Sequence, residues 1–202
     1  PPYKAGIEAG ARTIMTSFND LDGIPSTGNK WLLEEVLRKE NNFTGFVVTD
    51  YTSINEMVNH GYAADDKHAG ELAANAGVDM DMQGAVFQRY LKESIAAGLV
   101  SEKQVDEAVR RILRIKFELG LFKDPYKFSD AQREKAVVFA PAHLQAAREI
   151  ARKSIVLLKN EDKVLPIANG KKIALVGPLV ADRNNLIGEW RASEEGEKSV
   201  SV

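Results

Sequence analysis

Apolar positions along this chain switch between two spacings, and the switches mark its elements. Ala5, Ile7 and Ala9 fall at helical spacing and Gly10 is a natural stop. Arg12 to Phe18 reads as a strand. Asn19 to Asn29 is dense in turn formers and predicts a loop. Trp31, Leu32, Leu33, Val36 and Leu37 predict a helix over Lys30 to Lys39. Phe46, Val47 and Val48 form a short β-prone apolar run that predicts a buried strand ending on Asp50. Thr52 and Ser53 then turn the chain into a helical pattern at Ile54, Met57 and Val58. Asp65 to Ala76 is helical, Val78 to Met82 alternates with the period of a strand, and Phe87 to Ala97 is helical. Ser101-Glu102-Lys103-Gln104 matches a capping box. It opens a helix with Val105, Ala108, Val109, Ile112, Ile115 and Leu119 on one face, closed by Gly120.

Helix and strand alternate through this stretch, which argues for an α/β fold with a parallel sheet. Three strands cannot close a (β/α)8 barrel. The expectation is either an open sheet or the C-terminal portion of a barrel. From Phe122 to Pro141 the periodicity fades into a linker, and a helix follows at His143 to Lys153. Ile155 to Asn160 and Lys172 to Pro178 read as strands entering a second domain. The tail, Ser193 to Val202, is polar and charged.

Composition narrows the function. The 202 residues carry a formal net charge of −2, so there is no electrostatic case for nucleic acid or an anionic membrane. No apolar run approaches the roughly 20 residues of a spanning helix. Cysteine is absent, which excludes disulfides, thiolate zinc sites and a cysteine nucleophile. His60, His68 and His143 lack the spacing of a helical metal site, and no metal or cofactor is expected. The chain begins Pro1-Pro2-Tyr3 without a methionine, as a mature or excised piece would.

Asp50 is the leading candidate for chemistry. A carboxylate at the C-terminal end of a buried strand stands where an α/β barrel places its reacting groups. The competing reading is a cap for the next helix. A sugar hydrolase of the retaining kind needs a carboxylate nucleophile on a rigid strand end and apolar side chains against the ring. Met15, Phe18 and Tyr51 fall at or just beyond strand ends on the same prospective rim, with core or loop packing as their alternative. Asp79 and Asp81 are two apart on a strand, and framing the barrel end or capping a helix is the favoured reading for them. Lys172 to Gly177 resembles the opening strand of a nucleotide-binding unit, but it is not succeeded by a phosphate-binding glycine motif.

Longer phrases carry a resemblance. Met15 to Pro25, Trp31-Leu32-Leu33, Gly45 to Tyr51, Asn59-His60-Gly61, Ala63-Ala64-Asp65, Gly77 to Met80, Lys116 to Phe122 and Ser154 to Asn160 together resemble glycoside hydrolase family 3. The likeness is strongest to the bacterial periplasmic β-glucosidases of that family, where Ile173 to Leu179 and Leu186 to Trp190 also have counterparts. It covers essentially the whole chain in order.

The resemblance implies a retaining exo-acting β-glucosidase that takes a terminal β-D-glucosyl residue from a β-glucoside or oligosaccharide. Asp50 aligns with the catalytic nucleophile. Met15 and Phe18 align with positions lining the sugar subsite, where Phe18 lacks the hydroxyl of the tyrosine found in many members. Tyr51 aligns with an aromatic that is often tryptophan. The implied organisation is a C-terminal barrel portion over 1–121, a linker and connecting helix over 122–153, and the start of an α/β sandwich over 154–202. The acid/base glutamate and most of the sugar clamp would then lie outside the chain. The isolated fragment is expected to be inactive and to need the rest of the enzyme or another chain to complete the barrel. The family likeness also implies a periplasmic or secreted location. Two other readings stay open: a non-catalytic carbohydrate-binding member of the family, and a signalling module with Asp50 as phospho-acceptor.

Overall fold

The computed structural model describes residues 1–189 and Ser199, which divide into two units, Pro1–Ala131 and Gln132–Val202. In chain order the first unit runs α1 (Pro2–Glu8), β1 (Thr13–Met15), β2 (Asp20–Leu21), β3 (Ile24–Pro25), a 3-10 turn (Ser26–Gly28), a π-type helix (Trp31–Glu40), β4 (Phe46–Val48), α2 (Ser53–Asn59), α3 (Asp66–Ala76), α4 (Val86–Ala96) and α5 (Glu102–Glu118). This is an α/β fold, mostly helical with few strands.

β1 and β4 pair in parallel, with Ile14 opposite Val47 and Met15 opposite Val48. A single parallel bridge, Val48 to Met80, adds a third segment on the other side of β4. Parallel neighbours need a crossover, and helices supply both: the π-type helix between β1 and β4, then α2 and α3 between β4 and Met80. Strand alternation gives β4 two faces. Val47 turns to the helices and is fully buried with Ile54, Met57, Ala69, Ala73 and Val86. Each of the larger side chains contributes about 1.5–3 kcal/mol by leaving water. Small residues let α3 approach its neighbours closely. A Cβ on Gly70 would stand 2.7 Å from Val86 Cγ1.

Two local devices fix the sheet. The Phe46 N–H donates to the Arg12 carbonyl at 3.2 Å, and a Cβ on Gly45 would collide with that same carbonyl. Only glycine admits this approach. The expected strand over Val78 to Met82 is reduced to one bridge because a side chain takes a ladder position. The Val47 N–H donates to Asp79 Oδ2 at 2.7 Å, while Asp79 N and Met80 N both donate to the Val47 carbonyl.

Elsewhere the structure departs from expectation in instructive ways. The loop Asn19 to Asn29 contains an antiparallel hairpin, β2 with β3. Its turn is Asp22-Gly23, both at positive φ (54° and 75°), the geometry an Asp-Gly pair favours. The helix after Asn29 is wound wider than an α-helix, and Asn41 N bonds back to Val36 O. The capping box forms as expected: Ser101 Oγ accepts from Gln104 N, and Gln104 Oε1 accepts from Ser101 N.

The second unit contains most of α6 (Ala131–Val137), then α7 (Pro141–Ser154) and a 3-10 turn (Asn185–Ile187). The segment read as linker therefore holds a short helix besides the expected α7. Ile155 to Asn160 and Lys172 to Pro178 form no strand, which corrects the sequence expectation. Leu158 and Val176 are 91% and 90% exposed. A strand exists through its neighbour's hydrogen bonds, and among the described residues of this unit nothing pairs with either segment. No helix among the described residues is long and apolar enough to cross a membrane.

Candidate active site

Asp50 lies two residues beyond β4, at the C-terminal end of the middle of the three parallel segments. The backbone on either side of it is held by several bonds. Thr49 N donates to Met80 O at 2.9 Å, Thr52 N donates to Met82 O at 3.0 Å, and Ser53 N donates to the Asp50 carbonyl at 3.2 Å. The Thr49 hydroxyl accepts from Met82 N at 2.8 Å. These bonds join the ends of the second and third segments around the carboxylate.

The carboxylate itself is left nearly uncommitted. Asp50 Oδ1 accepts from Tyr51 N at 2.7 Å. Oδ2 has no hydrogen-bond partner among the described residues. The cap of α2 is Thr52, and no side chain hydrogen-bonds its first amides. The capping reading of Asp50 therefore does not describe its side chain. Thr52 adopts φ 60°, ψ 15°, a left-handed conformation that is costly for a β-branched residue. The chain takes that turn two residues after Asp50.

Met15 pairs with Val48, so alternation sets both on one face of the sheet, and Asp50 continues that face two residues on. Met15 and Tyr51 are half exposed and Phe18 is partly buried. Phe18 lies between β1 and the β2–β3 hairpin. That hairpin is tied to α2 by Asp20 Oδ1, 3.0 Å from Nδ1 of His60 just beyond the helix. A cavity of about 380 Å³ opens near Asp79, Arg111 and Lys103, and one of about 360 Å³ lies between α1, β1 and the π-type helix. Met15 lines the second, while Asp50, Tyr51 and Phe18 line neither.

Asp79 and Asp81 have structural partners. Asp79 accepts from Arg38 Nη2 at 2.6 Å, Arg111 Nη1 at 2.7 Å and Val47 N. Asp81 Oδ2 accepts from Val86 N at 2.6 Å at the start of α4. Of the other histidines, His68 Nδ1 accepts from Ala64 N, and His143 is on α7 of the second unit. Among the described residues no group of three or more His, Cys, Asp or Glu is placed to hold a metal ion.

Pattern reading missed the hydroxyls behind Asp50. Thr16 Oγ1 and Thr27 Oγ1 are 2.9 Å apart, and Thr27 Oγ1 is 2.9 Å from Ser53 Oγ. Serines and threonines in turn-rich stretches look like solvent-facing loop. Pro25 and Leu33, apolar residues on either side of Thr27, are a sequence hint that this loop folds inward, and both are buried.

Comparison with known proteins adds a family to this geometry. A family model described as the glycosyl hydrolase family 3 N terminal domain matches residues 1–115. The chain is 40% identical over 205 residues to a periplasmic beta-glucosidase of Salmonella typhimurium, covering 100% of this chain and 27% of that protein. It is 40% identical over 198 residues to a putative beta-xylosidase of Formosa agariphila, covering 96% and 26% respectively. Its fold matches the crystal structure of a beta-glucosidase from Listeria innocua in complex with glucose, with a TM-score of 0.81 and 42% identity. That match covers 100% of this chain and 28% of the other.

Proposed function

Since the chain belongs to glycoside hydrolase family 3, we propose that it is the nucleophile-bearing part of a retaining, exo-acting β-glucosidase. The single observation that carries this is the placement of Asp50: a strand-end carboxylate with a free oxygen, on the sheet face that Met15 shares. Its backbone is fixed by the neighbouring segment, as a nucleophile held on a rigid element requires.

In the intact enzyme Asp50 Oδ2 attacks the anomeric carbon of a terminal β-D-glucosyl unit. The bond from that carbon to the leaving oxygen breaks while a carboxylic acid from outside these 202 residues protonates the leaving group. Water, deprotonated by the same group, then releases glucose and restores the Asp50 carboxylate. Met15, Phe18 and Tyr51 line the sugar subsite, with Tyr51 offering a ring face. On this reading residues 1–121 are the last part of a (β/α)8 barrel, 122–153 the linker and connecting helix, and 154–202 the beginning of an α/β sandwich. The chain spans only about a quarter of its relatives' length, in keeping with that division. The relative named as periplasmic supports a periplasmic or secreted location.

Trapping the full-length protein with a 2-deoxy-2-fluoro-β-glucosyl donor tests the reading. The expected result is a stoichiometric covalent adduct on the peptide containing Asp50. An adduct on another carboxylate, or slow turnover with no adduct, overturns it. A xyloside is the competing substrate, because the Formosa agariphila relative is named a putative beta-xylosidase. The ratio of kcat/KM for aryl β-glucoside and β-xyloside decides between them.

A further inference from the structure

We propose that Thr27 is a positioning residue for Asp50, acting through a buried chain of hydroxyls. The inference rests on the reading of Asp50 as nucleophile. Thr16, Thr27 and Ser53 come from three separate places: the end of β1, the 3-10 turn and the first turn of α2. Their hydroxyl oxygens form a continuous line, 2.9 Å from Thr16 to Thr27 and 2.9 Å from Thr27 to Ser53. All three residues are buried, and Thr27, in the middle, is 1% exposed.

Both ends of the line reach the backbone around Asp50. Thr16 N donates to Val48 O at 3.0 Å, two residues before Asp50, and Ser53 N donates to the Asp50 carbonyl at 3.2 Å. By alternation Thr16 and Thr49 share the helix-facing side of the sheet, and Asp50 lies on the other. The hydroxyls therefore stand behind the carboxylate and touch no substrate.

A second set of bonds ties the sugar-lining residues to the same turn. Ser17 Oγ donates to Ser26 Oγ, and Ser26 Oγ donates to the Asn19 carbonyl at 2.7 Å, so the stretch carrying Phe18 is fastened to the residue preceding Thr27. The turn is seated closely on Met57 of α2 and on Tyr62 just past its end. A Cβ on Gly28 would stand 2.8 Å from Tyr62 Cε1 and 3.0 Å from Met57 Sδ. Each hydroxyl has one proton to give and lone pairs to receive. Removing the middle one leaves both neighbours short of a partner in a buried site. The nucleophile and the residues lining its sugar then lose their common reference.

The test uses the full-length enzyme with Thr27→Val, Thr27→Ser and Ser53→Ala. Each variant is titrated with 2-deoxy-2-fluoro-β-D-glucosyl fluoride. The readouts are the first-order inactivation constant, the inhibitor dissociation constant and the labelled residue. Thr27→Val keeps the volume and is expected to lower the inactivation constant about tenfold, with inhibitor binding nearly unchanged. Thr27→Ser is expected to restore most of the rate, and Ser53→Ala to reproduce the loss. An unchanged inactivation constant in Thr27→Val overturns the proposal, as does a loss that Thr27→Ser fails to rescue. If Thr27→Val does not fold, Ser53→Ala decides: a normal constant there overturns the positioning role. Wild-type labelling away from Asp50 overturns the nucleophile reading. Labelling at Asp50 with unaltered variant kinetics overturns the positioning role alone.

Discussion

Arg38 Nη2 lies 2.6 Å from Oδ2 of Asp79, a carboxylate whose side chain is 1% exposed. The Arg111 guanidinium closes the other oxygen at 2.7 Å, and the Val47 amide completes the set. One buried acid thus joins the π-type helix, α5 and the central strand. Removing it takes a partner from two cations and an amide at once, leaving Arg38 with Glu34 and the Gly45 and Gly77 carbonyls. Asp79→Ala should cost about 3–5 kcal/mol, read from chemical denaturation of the 202-residue chain. Arg111→Ala should cost clearly less, because its side chain is 24% exposed and water can replace it. Equal losses from the two variants would contradict this account.

Gly45 and Arg12 bring the chain close together just before β4 and β1. A methyl there collides with the Arg12 carbonyl, which is backbone and cannot rotate away. Gly45→Ala should therefore destabilise the first unit by about 1–3 kcal/mol. Hydrogen exchange should quicken most at the Phe46 amide, whose acceptor is that carbonyl. A variant as stable as the parent would show that the strands separate freely.

Thr52 holds φ 60° at a β-branched residue, and glycine adopts this conformation without steric cost. Thr52→Gly should raise the stability of the first unit by about 1 kcal/mol, the released strain outweighing the greater freedom of the unfolded chain. A lower thermal midpoint in the variant would show that the turn is relaxed as it stands.

Lys67 on α3 reaches Glu93 on α4 at 2.9 Å. The hydrogen bond to Glu93 raises the Lys67 pKa above that of an ordinary lysine, while desolvation acts in the opposite sense. Stability from a raised lysine pKa is fully present below the unfolded value and is lost as pH rises through the folded one. The stability that Lys67 contributes through this bridge should therefore fade in the alkaline range. Titration of the Lys67 side chain by NMR should show the upward shift, and Glu93→Gln should abolish most of it. The same titration curve in both proteins would rule out Glu93 as the cause.

Much of this was legible in the residues, and the misses share a cause. Phe46 to Val48 marked a buried strand because its apolar run is short and bounded by turn formers. Ser101 and Gln104 marked a helix start because their bonds span three residues and need no tertiary partner. The hydroxyls at Thr16, Thr27 and Ser53 were hidden because they meet only once β1, the turn and α2 have packed. Asp79 drew notice as a strand carboxylate, but its arginines lie 41 residues before it and 32 after. Ile155 to Asn160 and Lys172 to Pro178 have strand-like composition. Pairing, which composition cannot supply, is what they lack. The free oxygen of Asp50 also became visible only when Thr52 proved to be the cap.

The bond from the Val47 amide to Asp79 has a consequence for synthesis on the ribosome. Its two residues are 32 positions apart. At 5–20 residues per second, translation needs about 2–6 s to deliver the acceptor after the donor has been made. During that interval β4 can pair with β1 but keeps a bare amide and an apolar flank on its other side. Unpaired strand edges and exposed apolar flanks of this kind are prone to aggregation. Emergence of Asp79 from the ribosome ends the exposure, so the residue that locks the strand also sets how long the nascent protein stays vulnerable.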